Sequence, residues 1–122
     1  DMLKAELYFQ HNLRADSLVL LSNIVKTHDY SSIWLRIGQI YLDIGLESEA
    51  EKSFENALWI SNSTGEKEIE AYAYLGLGMC SIIRSDSNEG VDYLKAAEDL
   101  FNSIGHKEGI QQIENLLKNN ER

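Results

Sequence analysis

Residues 31–64 read SSIWLRIGQIYLDIGLESEAEKSFENALWISNST, and their apolar spacing decides the fold. Ile33, Ile37, Ile40, Tyr41 and Ile44 recur at the three- and four-residue steps that line up one face of a helix. Gly45 then ends the run, as a glycine just past a helix C-terminus does. A second run follows through Ala50, Phe54, Ala57, Leu58 and Ser61, and the turn-forming cluster Ser63-Thr64-Gly65 breaks it. The stretch predicts a helix, a short turn and a second helix.

The same hairpin recurs downstream. Displacing the sequence by 40 positions aligns Leu35 with Leu75, Gly38 with Gly78, Glu49 with Glu89 and Ala57 with Ala97. Asn62, Ser63, Gly65, Lys67, Glu68 and Leu77 likewise meet Asn102, Ser103, Gly105, Lys107, Glu108 and Leu117. Trp34 meets Tyr74, Ile37 meets Leu77, Phe54 meets Leu94, and Ile60 meets Leu100, all in one register without gaps. Self-similarity at a period of this size marks a stack of helical hairpins. The second copy runs through Tyr74, Leu77, Gly78 and residues 80–83, turns at Ser85-Asp86-Ser87-Asn88 with capping side chains, and continues through Val91, Leu94, Ala97, Leu100 and Phe101.

Working outward, Ile110, Ile113, Leu116 and Leu117 open a third first-helix that frays into residues 118–122. That helix has no second helix after it, so its apolar face is expected to need a neighbour or a second copy. Upstream, Leu3, Leu7 and Tyr8 suggest one helix, and Leu18, Leu21, Ile24 and Val25 another after Arg14-Ala15-Asp16. Asp29-Tyr30-Ser31-Ser32 is expected to cap the helix that carries Trp34. The expected organisation is a diverged pair over 1–30, units over 31–70 and 71–104, and a closing helix over 105–122, all in one domain. Because the chain begins at Asp1, it reads as an excised fragment of something longer.

Residues 31–64 resemble the tetratricopeptide repeat. Its hallmark is a Trp, Leu, Gly and Tyr cluster on the first helix and small, aromatic and small residues on the second. Trp34, Ile37, Gly38 and Tyr41 fill the first set, and Gly45, Ala50, Phe54 and Ala57 the second; Asn62 stands where the family has proline. In the second unit Tyr74, Leu77, Gly78, Leu94 and Ala97 fit, while Ser81 replaces the tyrosine and Gly90 the alanine. The 40-residue step exceeds the usual 34, and six more residues add roughly 9 Å of helix, as in the long-helix variety of the family. The resemblance implies an all-α fold, a short right-handed solenoid of antiparallel hairpins. Gly38 and Gly78 are expected to let each first helix press on its partner, near Ala50 and Ala57 in the first unit. Trp34, Tyr41 and Phe54 are expected to fill the space between hairpins.

The resemblance also implies a concave groove on the first helices that binds a peptide or helix of another protein. Its positions fall on Ser32, Leu35, Gln39, Leu42 and Asp43; on Tyr72, Leu75, Met79, Ile82 and Ile83; and on Gln112, Asn115 and Asn119. Such a groove is apolar in its middle and polar at one end, and Met79 adds an adaptable contact. Family members that grip a chaperone's C-terminal carboxylate use Lys, Asn and Arg there. Leu35, Gln39, Leu75, Met79 and Asn115 hold comparable places here, so that cationic clamp is absent. The other reading is a structural or self-associating segment of a larger scaffold, with no peptide ligand.

Composition narrows the field. The chain has 122 residues, no proline, and a formal net charge of −9. That charge repels nucleic-acid backbones and anionic membranes and steers a basic or amphipathic partner towards the surface. No apolar run approaches the roughly 20 residues needed to span a bilayer. Cys80 is the only cysteine, so there is no internal disulfide; this fits a cytoplasmic setting, with Cys80 a buried structural thiol. His11, His28 and His106 lack metal-ligand spacing and are expected to be solvated. Glu47, Glu49, Glu51 and Glu55 suit a helix start and its outer face rather than a catalytic pair. Gly76-Leu77-Gly78 lies within a helix and is no phosphate loop, and Asn62-Ser63-Thr64 matches a glycosylation sequon that matters only in a secreted chain. Neither cofactor nor catalytic constellation is expected.

Overall fold

The computed structural model of the chain describes residues 13–24 and 30–120. All its regular structure is helical: α1 over residues 13–24, α2 Ser31–Asp43, α3 Glu47–Thr64, α4 Lys67–Ile83, α5 Ser87–Ile104 and α6 Lys107–Asn120. Leu3, Leu7, Tyr8, His11, Val25 and His28 lie outside the described residues.

The connections are short and come in two kinds. Three residues join α2 to α3 and α4 to α5; two join α3 to α4 and α5 to α6. At the longer turns Gly45 and Ser85 adopt φ of 85° and 67°, and at the shorter ones Gly65 and Gly105 adopt 76° and 68°. Each left-handed residue lets the chain fold back on the last carbonyls of the helix it closes. Leu46 N–H donates to Tyr41 O at 2.9 Å and Asp86 N–H to Ser81 O at 2.9 Å. Likewise Glu66 N–H donates to Ser61 O at 3.0 Å and His106 N–H to Phe101 O at 2.9 Å. Turns this tight reverse the chain and set neighbouring helices side by side.

Successive helices from α2 to α6 pack on one another, and α2 and α6 both touch α4 as well. By contrast α3 and α5 do not approach each other. The closer spacing is therefore on the α2–α4–α6 side. Two buried clusters hold the stack. Ala50, Phe54, Leu77 and Cys80 lie between α3 and α4, flanked by Leu35, Tyr41 and Leu42 of α2. Ala71, Leu75, Leu94, Ala97, Phe101 and Ile113 join α4, α5 and α6. The apolar face of α6 is turned into this second cluster: Ile113 is fully buried, and Ile110, Leu116 and Leu117 pack against it half-buried.

The glycines on the first helices make room for large side chains of the second helices. A methyl group added at Gly38 would fall 2.7 Å from the Phe54 ring, and one at Gly76 would fall 2.5 Å from it. Gly78 does the same for Leu94, at 2.8 Å. Phe54 is thus the wedge between α2 and α4, and burying a side chain of that size is worth roughly 1.5–3 kcal/mol. Trp34 and Tyr41 stay half-buried, beside Ser22 of α1 and Ser53 of α3.

Of the stretch expected to cap α2, Asp29 lies outside the described residues, and the others do not cap through their side chains. Tyr30 occupies the N-cap position and makes no side-chain cap hydrogen bond. Ser31 lies inside the helix, buried, and its hydroxyl donates to Glu66 Oε1 at 2.8 Å, tying α2 to the α3–α4 turn. Thr64 donates to the same carboxylate oxygen. Those two bonds, Thr64's first, lower the Glu66 pKa. Asp86 does cap its helix: Glu89 N–H donates to its Oδ1 at 3.2 Å.

Candidate functional site

On the closely spaced side, α2, α4 and α6 enclose a cleft of about 340 Å³. Helical geometry explains its walls, since residues three and four apart share a face. Gln39, Leu42 and Asp43 come from α2, Tyr72, Leu75 and Met79 from α4, and Gln112 from α6. These seven are all positions that the sequence reading placed on the groove.

The structure adds Arg36, Gly76 and Phe54. Arg36 and Gly76 stand 40 residues apart, so the missed position is the same one in both units. Because Gly76 lacks a side chain, the Phe54 ring reaches the cleft wall. The signal was the neighbouring pair Gly76 and Gly78, two helical glycines where one suffices for packing α4 on α5.

The remaining groove residues are placed elsewhere. Leu75, only 3% exposed, is a core residue that forms the floor of the cleft rather than an open contact. Leu35 packs against the Phe54 cluster, and Ile82 against the Phe101 cluster. Ile83 is 54% exposed but does not line the cleft. Asn115 is exposed and accepts from Gln111 Nε2 at 3.2 Å, beside a shallow depression it shares with Gln112 and Lys107. Ser32 and Asn119 are exposed outside the cleft. The apolar middle expected of the groove is therefore partly committed to the core, and the cleft wall is mixed, with Arg36, Gln39, Asp43 and Gln112 beside Leu42, Phe54, Tyr72 and Met79. Polar groups of that kind fix orientation through hydrogen bonds rather than area.

The charges are mixed. Asp43 Oδ2 lies 3.8 Å from Arg14 Nε, which links α1 to the cleft rim. At the other end, the Tyr72 phenol is held above its ordinary range by burial, and then by the charges of Glu68 and Glu108.

His106 is not the solvated residue expected. Its Nδ1 accepts from Gly109 N–H at 2.9 Å, which makes it the side-chain cap of α6 and fixes Nδ1 as the unprotonated nitrogen. Its Nε2 lies 3.4 Å from both Tyr72 Oη and Glu68 Oε1. The ring sits between Tyr72 and Phe101, with centroid distances of 5.5 and 5.0 Å. Sequence reasoning missed it because a histidine cap depends on a ring pinned by tertiary neighbours.

Cys80 is fully buried, and burial, with a smaller contribution from Glu47, pushes its thiol up to about 11. A thiol so far from ionising is a poor nucleophile. Glu47 and Glu49 stand in the first turn of α3, while Glu51 pairs with Arg84. The side chain of Asn62, in the sequon, donates to Glu70 Oε2 at 2.8 Å from the last turn of α3. Among the described residues no three His, Cys, Asp or Glu side chains stand close enough to hold a metal ion, and no helix is long and apolar enough to cross a membrane. No protein-family model matches the chain, and a search of curated proteins finds no match to it.

Proposed function

We propose that the chain is a tetratricopeptide-like interaction module that takes up a peptide or helix of a partner protein in the α2–α4–α6 cleft. The observation that carries this reading is the convergence of Gln39, Asp43, Tyr72, Met79 and Gln112, from three helices, on one open cleft of about 340 Å³. Stacked helical hairpins offer such surfaces to extended or helical ligands. The amides and carboxylate on the cleft wall and the acidic shoulder of Glu68 and Glu108 favour a partner segment that carries amide-rich or basic side chains. On this reading the protein binds rather than catalyses, uses no cofactor, and works in the cytoplasm.

Self-association through α6 has less support, because Ile113 is buried and Ile110, Leu116 and Leu117 already pack against the α4–α5 core. The reading is tested by selecting binders from a displayed peptide library and measuring their affinity for the triple variant Gln39→Ala, Met79→Ala, Gln112→Ala. Leu75 is left intact, since a charge there would break the core. Affinity at least tenfold weaker, with an unchanged circular dichroism spectrum, is the expected result. Equal affinity for the variant places recognition elsewhere.

A further inference from the structure

A second pocket, of about 350 Å³, lies on a nearly opposite face of α4. Glu55, Leu58, Trp59 and Asn62 of α3 and Tyr74 of α4 line it. Trp59 is 76% exposed, more than any other large hydrophobic residue described. Packing does not require an aromatic there. Forty residues on, in the same register of α5, the positions of Glu55, Leu58 and Trp59 are taken by Lys95, Glu98 and Asp99. The unit therefore tolerates a fully polar surface at these sites, and α3 departs from it with an indole.

The indole is not isolated. Tyr74 is half-buried beside it in the pocket wall, and the Tyr74 and Tyr93 rings lie 6.3 Å apart, tilted by 35°. This aromatic floor is reachable because α3 and α5 do not close over it. The surroundings are negative. Glu55 is exposed and makes no ion pair among the described residues, whereas Glu51 and Glu89 are both engaged by Arg84. The Tyr93 phenol reports this field: burial first, then Glu89 and Glu55, raise its pKa against a smaller opposing pull from Arg84.

We infer that the Trp59–Tyr74–Glu55 pocket is a second binding site, which receives a lysine or arginine side chain of a partner protein segment. A cation over an indole face is attracted by the ring quadrupole, and a carboxylate at the rim supplies the counter-charge. Charge complementarity selects this occupant over an apolar one, since an apolar side chain would leave Glu55 partly desolvated and unpaired.

The probe is an N-acetylated, C-amidated Gly-Ser-Lys-Ser-Gly peptide, titrated into the labelled full chain while NMR follows the Trp59 indole N–H and the Tyr74 amide. A norleucine analogue of the same peptide serves as the uncharged control. The lysine peptide should shift both resonances saturably, and the analogue should not. Glu55→Gln should weaken binding by about threefold or more, while Asp99→Asn, an equal charge change on α5 at the position that matches Trp59, leaves it unchanged. Trp59→Asp, which copies the α5 residue, should abolish the Tyr74 shift with the dichroism spectrum intact. Three results overturn the inference: no saturable shift, equal shifts with the norleucine peptide, or equal weakening by Asp99→Asn and Glu55→Gln. The second would make the pocket an apolar dock, and the third a diffuse effect of the acidic surface.

Discussion

The hairpin α2–α3 and the hairpin α4–α5 share a backbone and fill it differently. In the first, the large residue on the second helix is Phe54, met by Gly38 and Gly76. In the second, the matching position holds Leu94, Gly78 still faces it, and Leu116 stands 40 residues on from Gly76. Two turns further along the same helices the sizes reverse. Ser61 is buried in α3, whereas Phe101 is buried in α5 with Gly109 of α6 against its ring. Ile69 is the first-unit counterpart of Gly109. The bulk thus moves along the second helix, and the glycine that admits it moves on the first helix of the next hairpin. In both hairpins a buried ring is met by glycine on a neighbouring first helix, as a close-packed interior demands, while its position along the second helix differs.

The most severe way to break this pairing is Phe101→Ser, which copies residue 61 into the second unit. A vacated aromatic site and a new buried hydroxyl should cost about 3–5 kcal/mol in urea unfolding. Adding Gly109→Ile, the counterpart of Ile69, should recover more than half of the loss. A double variant no more stable than the single one would falsify the idea that the layers compensate. The converse exchange is milder. Gly76→Leu should cost about 1–3 kcal/mol, because its Cβ would lie 2.5 Å from the Phe54 ring. In a Phe54→Leu background, which copies Leu94 and Leu116, the same substitution should be close to neutral. The coupling is read from a double-mutant cycle, and simple additivity is the outcome that denies it.

These exchanges also show what was legible in the sequence. Gly38, Phe54 and Ala57 matched with Gly78, Leu94 and Ala97, so the all-helical hairpins and their turns could be read from spacing alone. That Gln39, Met79 and Gln112 share one side of the stack, where they line the cleft, could be read as well. What escaped were features that depend on two helices at once. Arg36 lines the cleft, and Gly76 matters there because it lets the Phe54 ring of another helix reach the wall. Leu75 sits at a groove position, yet the arrival of α6 seals it into the core. His106 becomes a cap with its ring held by Tyr72 and Phe101, and Ser31, inside α2, gives its hydroxyl to Glu66 of the α3–α4 turn. A one-dimensional period carries the face of a helix but not the size of its neighbour.

The mildest test concerns a turn. Gly45 and Ser85 close equivalent helices with the same hydrogen bonds, Gly45 N–H to Leu42 O at 3.1 Å and Ser85 N–H to Ile82 O at 3.0 Å. Both take left-handed backbone angles, φ 85° and 67°. For a residue with a Cβ that region costs roughly 1–2 kcal/mol, and serine has no exemption from it. The Ser85 side chain is exposed, so its removal forfeits little burial. Ser85→Gly relieves the strain but enlarges the conformational freedom of the unfolded chain, an opposing term of roughly 0.5–1 kcal/mol. Strain should win by a small margin, about 0.5 kcal/mol, or a rise in Tm of roughly 2–4 °C. Gly45→Ser should lower stability by a similar amount, because the same two terms then act in reverse. If both substitutions shift Tm the same way, the turns are not equivalent, and the likeness of the two hairpins ends at their helices.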